Sequence, residues 1–313
     1  LKHRNRPQQS QAYPCRGDRE VAAKRPDRRH PLPENIMKTI IITGASDGIG
    51  AASARQLKQA GHHVVLVGRS PQKTAAAAEA IGVPFHVADF TDLAQVRRLA
   101  DDLLKAYPQI DVLANNAGGL FGPETTTDGF DKTLQVNHLA PFLLTNLLLD
   151  RLLTSKAALI QTSSVGAKAF GHLDLDDLNN AKKWSANKAY GDGKLANILF
   201  TQELHRRYHA QGLSAVAFHP GNVATNFASD TPSPIRFIYR TPLSRLILIS
   251  ADKGGQALTW LADGTPGVTW QSGGYYENNK IVPEKKMHPQ ARDASVARDL
   301  WTSSEALLQM TSA

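Results

Sequence analysis

The stretch Thr39-Ile40-Ile41-Ile42-Thr43-Gly44-Ala45-Ser46-Asp47-Gly48-Ile49-Gly50 decides the fold. Its first five residues are all β-branched and apolar at the centre, as a buried strand requires, and Gly50–Ala60 has helical spacing. A glycine-rich turn lies between them. Glycines permit a tight turn and let an anion approach backbone N–H groups, and a helix N-terminus favours negative charge. Taken alone, the segment also reads as a plain tight turn. Its place between a strand and a helix favours a cradle for a pyrophosphate.

Outward from this turn the pattern repeats. Strand-like runs at His63–Val67, Pro84–Ala88, Val112–Ala114, Ala158–Thr162 and Ser214–Phe218 alternate with helical runs at Gln72–Ala80, Leu93–Tyr107, Phe130–Leu153 and Asn187–Gln211. The strands are almost wholly apolar, so both of their faces should be buried. Alternation with short connections predicts an α/β fold: a doubly wound parallel sheet of about seven strands, helices on both faces, in a single domain. Ligands should sit beyond the C-terminal strand ends.

Hydrophobic residues form 42% of the 313 and charged residues 20%, which suits a buried core. Residues 1–36 hold nine Lys/Arg and four Asp/Glu, so they carry five of the net +8 charges and leave +3 to the rest. A body that mildly basic does not demand a nucleic-acid partner. Cys15 is the sole cysteine, which excludes an intrachain disulfide, and no Cys or His spacing suggests a metal site. Apolar stretches such as Pro141–Leu149 fall far short of the ~20 residues of a membrane span, so a cytoplasmic protein is expected. Residues 1–36 lack an apolar period and read as a disordered basic tail. Met37 stands just before the first strand. Three readings of the tail stay open: a mis-assigned start ahead of Met37, a solvated extension, or an arm for an anionic partner.

The spacing of the turn is Gly-x3-Gly-x-Gly, and it resembles the cofactor turn of short-chain dehydrogenases/reductases. Asn115-Asn116-Ala117-Gly118, Tyr190-Gly191-Asp192-Gly193-Lys194 and His219-Pro220-Gly221 with Thr225 resemble three further stretches of that family, in the same order. The resemblance implies a Rossmann-type fold over Lys38 to Leu308 and a nicotinamide dinucleotide as cofactor. By position it assigns cofactor contacts to Gly44, Ser46, Asp47, Gly48, Ile49, Gly50, Asp89, Phe90, Asn116, Ala117, Gly118, Pro220, Gly221, Val223 and Thr225, and to Tyr190 and Lys194. Asp89 is equally placed to cap the next helix, as is Thr91. In the family an acidic residue after the second strand selects NAD. Here that strand ends Val67-Gly68-Arg69-Ser70. Arg69 can pair with the phosphate of NADP(H), which makes NAD(H) the lesser expectation, although Asp47 is a mild objection and Arg69 could be a solvated surface residue.

Tyr190 and Lys194 are four apart in a helical run, so they share a face. Tyrosine, with an ordinary pKa of about 10, is a poor base at neutral pH, and a nearby ammonium favours its phenolate. That suits proton exchange with a carbonyl or alcohol oxygen. The resemblance implies that Ser164 orients the substrate oxygen, with Ser163 turned away, and that Asn137 holds a water that relays protons to Lys194. His138 reads as a packed helix residue. The expected reaction interconverts an aldehyde or ketone and an alcohol with a small apolar substrate. A catalytically weak NADP-binding regulator is the alternative.

The long stretch between Ser164 and Tyr190, together with Lys194-Leu195-Ala196-Asn197, resembles the branch that contains retinol dehydrogenases. Gly193 departs from that branch's usual Ser and puts the setting of Tyr190 in question. No N-terminal membrane helix like that of many retinol dehydrogenases is seen. Residues 226–250 should form a substrate lid, with a packed helix or an oligomer contact as the other readings. Monomer and homodimer both remain open.

Overall fold

A computed structural model describes residues 37–221 and 250–310. The tail 1–36, the segment 222–249 with most of the expected lid, and Val223 and Thr225 lie outside the described residues. The first half runs β1 (Thr39–Thr43), α1 (Gly48–Gln59), β2 (His63–Gly68), α2 (Pro71–Ile81), β3 (Phe85–Val87), α3 (Leu93–Ala106) and β4 (Val112–Asn115). Then come α4 (Lys132–Leu134), a π-helical turn (Gln135–Leu139), α5 (Ala140–Leu147), α6 (Leu149–Thr154) and β5 (Ala158–Thr162). The rest comprises α7 (Gly166–Phe170), α8 (Ala186–Tyr208), β6 (Ser214–His219), α9 (Ala251–Asp263), β7 (Tyr275–Glu277), β8 (Lys280–Ile281) and α10 (Ala294–Leu307).

The sheet has eight strands in the order β3-β2-β1-β4-β5-β6-β7-β8. Seven are parallel, and β8 pairs antiparallel with β7 as a short addition to the expected set. In register, Ile41 of β1 faces Val65 on one side and Leu113 on the other. Alternate residues feed two cores. Ile41, Val65 and Leu113 pack with Leu103, Phe142 and Leu199 on one face, while Ile40, Ile42 and Val64 pack with Leu57 and Leu258 on the other. Burial of both faces explains the unbroken apolar strands. The exception is β3, where Phe85 and Val87 are 41% and 38% exposed because this strand forms an edge. The order reverses between β1 and β4, which opens a crevice at their C-terminal ends.

One helix expectation needs correction. Phe130–Leu153 is not one continuous helix. Within the π-turn, Ala140 N donates to Gln135 O, five residues back. Asn137 accounts for the widening: its Nδ2 donates to Thr133 O (2.9 Å) and to Gly119 O (2.8 Å), and its Oδ1 accepts from Gly119 N (3.1 Å). Pro141 has no N–H for the carbonyl four residues earlier, so the α ladder has less to lose there.

Helix α10 closes the face made by α5 and α8. Trp301 is 2% exposed, with its ring 4.9 Å from Phe142 and 5.7 Å from Phe200, under the Arg207 guanidinium at 4.3 Å. His138 is buried beside it, with Nε2 2.8 Å from Ser304 Oγ. Burial pushes this imidazole down to about 4, so it stays neutral at ordinary pH. Trp301→Ala should lower the unfolding free energy by about 3–5 kcal/mol. A urea titration checks this, and an unchanged midpoint would mean that α10 is not integral to the core. Among the described residues no helix is long and apolar enough to cross a membrane.

Candidate active site

The crevice is a groove of about 790 Å³ running from the glycine turn to the start of α8. At the turn, Gly44 has φ +64°, and a Cβ on it would stand 2.7 Å from Ala117 Cα. Only glycine allows both that backbone and that approach. A Cβ at Gly50 would lie 2.5 Å from Gly44 O, so Gly50 packs the helix onto the turn from behind and does not line the groove. Thr43 Oγ1 accepts from Asn116 N and Ala117 N, both at 3.0 Å. The Asn116 carboxamide donates to Thr43 O (3.0 Å) and Gly44 O (3.3 Å) and accepts from Thr162 Oγ1 (3.2 Å). Asn116 thus braces the turn with its side chain and offers backbone to the groove. Ser46, Asp47, Gly48 and Ile49 line the same end, with the Asp47 carboxylate accepting from Gly48 N at 2.7 Å.

Arg69, Asp89 and Phe90 line the far end, as does Lys73, which lies four residues beyond Arg69 in α2. Asp89 Oδ1 accepts from Thr91 N (3.0 Å) and Thr91 Oγ1 (2.9 Å). The cap of α3 is neither of these residues. Asp92 accepts from Ala94 N (2.9 Å) and Gln95 N (3.2 Å), because α3 begins at Leu93 and Asp92 immediately precedes it, while Asp128 Oδ2 accepts from Leu93 N (3.0 Å).

At the other end Ser164, Tyr190, Lys194, Pro220 and Gly221 line the groove with Ala117 and Gly118. Tyr190 and Lys194 come from adjacent turns of α8, with Lys194 Nζ 5.7 Å from the Tyr190 ring centroid. Ser163 Oγ turns away and donates to Lys194 O at 2.7 Å, whereas Ser164 Oγ accepts from Gly166 N at 3.1 Å. A Cβ at Gly166 would lie 2.8 Å from Tyr190 Cε1 and 3.4 Å from Ser164 Oγ, so this glycine seats the Tyr190 ring beside the serine. Asn137 sits behind the wall. A Cβ at Gly118 would overlap Asn137 Oδ1 and stand 2.9 Å from Lys194 Nζ, so only a glycine separates the two. A Cβ at Gly193 would meet Asn137 Cβ at 3.0 Å. Its missing side chain therefore bears on Asn137, where the sequence pointed to Tyr190. Asp192 is buried; it accepts from His172 N (2.6 Å) and Lys188 Nζ (2.5 Å), pinning the chain after α7 onto α8.

Lys194 Nζ donates to Thr162 O at 3.1 Å. Burial pulls this ammonium down from the usual 10.5 to about 7. A folded pKa below the unfolded one means that the unfolded chain binds more protons between those values. Stability without nucleotide should therefore rise with pH across about 7 to 10.5, by at most ~1.4 kcal/mol per pH unit from this group. Thr162 O keeps Asn197 Nδ2 at 3.1 Å when Lys194 is replaced. Lys194→Met should therefore flatten the pH dependence of the melting temperature relative to wild type. Identical slopes would contradict a buried, titrating ammonium. His219 also lines the groove, and burial pushes it down to about 4.

Several groove residues escaped the sequence reading: Lys73, Phe121, Val165, Phe170 and Asn187. Helical spacing could have found Asn187 from Tyr190, both in α8, whereas Arg69 precedes the cap of α2 and Lys73 stands in its first turn. No local signal marks Phe121 or Phe170. No cluster that could hold a metal ion exists among the described residues.

A family model described as short chain dehydrogenase matches residues 38–235. A candidate daunorubicin C-13 ketoreductase of Streptomyces sp. (strain C5) is 41% identical over 291 residues, covering 90% of this chain and 96% of that protein. Human retinol dehydrogenase 13 is 37% identical over 283 residues, covering 87% of this chain and 84% of its own. Among solved structures, an uncharacterized Mycobacterium paratuberculosis protein superposes with a TM-score of 0.71 at 33% identity, covering 90% of this chain and 96% of its own.

Proposed function

The chain belongs to the short-chain dehydrogenase/reductase family, and from that premise we propose an NADP(H)-dependent oxidoreductase that interconverts a carbonyl and an alcohol on an apolar small molecule. One observation carries the reading. Ser164, Tyr190 and Lys194 meet at one end of a groove whose other end holds a glycine turn and two cations, Arg69 and Lys73.

The groove fits a dinucleotide. At Gly44 a side chain would fill the cradle, and the backbone of the turn faces the groove ahead of α1. Arg69 and Lys73 are suited to a ribose phosphate, which favours NADP(H) over NAD(H). Asp47, Asp89 and Phe90 border the same end. Gly118, Pro220 and Gly221 border the nicotinamide end, where the bound cofactor supplies or accepts the hydride. Tyr190 Oη gives its proton to the carbonyl oxygen in reduction and takes it back in oxidation. Ser164 Oγ donates a hydrogen bond to that oxygen. Lys194, when protonated, favours the Tyr190 phenolate, and an anionic nucleotide alongside favours the protonated form. Asn137 holds the wall behind Lys194, and its proposed part in proton exchange is through a water there.

Phe121, Val165 and Phe170 give the substrate end an apolar lining. Helix α10 covers α5 and α8, which leaves less of those two helices open to a second copy and favours a monomer over a homodimer. The test is cofactor oxidation by the full chain with NADPH and with NADH across a panel of apolar aldehydes and ketones. NADPH-driven turnover is expected. Preference for NADH rejects the cofactor reading, and oxidation of neither rejects the function.

A further inference from the structure

Asn187 is the second residue of α8, after the Ser185 cap. It lies three residues before Tyr190, so both side chains project from one face of the helix. Both line the same groove. The other asparagines nearby are committed. Asn179 accepts from Asp131 N at 2.7 Å, and Asn180 accepts from Lys188 Nζ at 2.6 Å. The Asn187 carboxamide has no hydrogen bond to any described residue.

Apolar side chains share this end of the groove: Leu120, Phe121, Val165, which precedes α7, and Phe170, its last residue, the last two 40% and 46% exposed. Exposed apolar side chains beside a groove mark a surface that a ligand covers. Among the described residues of this end, the polar side chains include Ser164, Tyr190, Lys194, His219 and Asn187. Ser164 and Tyr190 are taken up by the reacting oxygen in the function proposed above, Lys194 is buried with its Nζ on Thr162 O, and His219 comes from the end of β6. Asn187 shares the Tyr190 face of α8 and is left to read something else on the substrate.

We propose that Asn187 is a specificity-determining residue that hydrogen-bonds a second, neutral oxygen of the substrate, close to the reacting carbonyl. The inference rests on that functional reading and narrows its substrate class to oxygenated ketones, such as hydroxy ketones and diketones. A carboxamide both donates and accepts, so it serves a hydroxyl or a carbonyl equally. It carries no charge and so gives a carboxylate no added attraction. A polar group built to bond a substrate oxygen discriminates strongly against an analogue that lacks it, since the site's own group is then left unpaired in an apolar enclosure.

The probes are deoxybenzoin, benzoin and benzil, which share one carbon skeleton and differ in the second oxygen. The readout is the ratio of kcat/KM for benzoin or benzil to that for deoxybenzoin, measured with the full chain and NADPH. A ratio is insensitive to the fraction of enzyme that folds. Asn187→Leu should lower both ratios by about 10-fold or more. Asn187→Ser, which retains a donor and acceptor, should restore part of them. Ratios unchanged in Asn187→Leu would overturn the inference while leaving the functional reading intact. Turnover of all three ketones that survives Tyr190→Phe, or no turnover by the wild type, would overturn that reading and this one with it.

Discussion

Tyr190→Phe should lower kcat by about 10²- to 10⁴-fold, the usual worth of a positioned general acid–base group, while nucleotide affinity stays within about twofold. The substitution removes one oxygen and keeps the ring. Gly166 supplies the slot in which the ring lies, and phenylalanine fills it equally well. The protein should therefore stay folded, with a stability change of about 1 kcal/mol, the net worth of a hydrogen bond. Steady-state kinetics on any ketone that the wild type reduces, beside quenching of tryptophan fluorescence by NADPH, separates the two effects. A loss of rate under tenfold would remove Tyr190 from the chemistry. A parallel loss of nucleotide binding would mark it as a structural residue.

Arg69→Asp should shift the preference between NADPH and NADH by about 10²- to 10³-fold in kcat/KM, chiefly through the KM for NADPH. A charge-assisted pair between guanidinium and phosphate contributes roughly 1.5–3 kcal/mol, and a carboxylate in its place adds repulsion. Arg69→Ala should do less, since Lys73 lines the same end and keeps one cation there. Arg69 is exposed, so the preference should also weaken as salt rises. Michaelis constants for both nucleotides at two ionic strengths check this. Equal losses with NADPH and NADH would place Arg69 away from the distinguishing phosphate.

Much of the groove was legible because its parts are local. The glycine turn occupies seven consecutive residues, and the strand before it and the helix after it are recognisable from side-chain period. Tyr190 and Lys194 are brought together by helical rise alone. The π-turn was not legible. Its cause is a bond from Asn137 to Gly119, eighteen residues away, and an apolar period read along the chain passes over the one added residue. The cap of α3 was missed by one position, because three candidate side chains, Asp89, Thr91 and Asp92, crowd the entry and the helix start selects among them.

The residues of this chain determine by themselves the alternation of strands and helices, the doubly wound sheet, the phosphate turn and the pairing of Tyr190 with Lys194. Each of these follows from steric preference or spacing within a few residues. Tertiary structure alone decided that Gly118 parts Asn137 from Lys194, that Phe121 and Phe170 reach the groove, and that α10 seals α5 and α8. Those relations link strands that are distant in sequence, or side chains that a shared cavity selects. They depend on strand order and close packing, which no local period encodes.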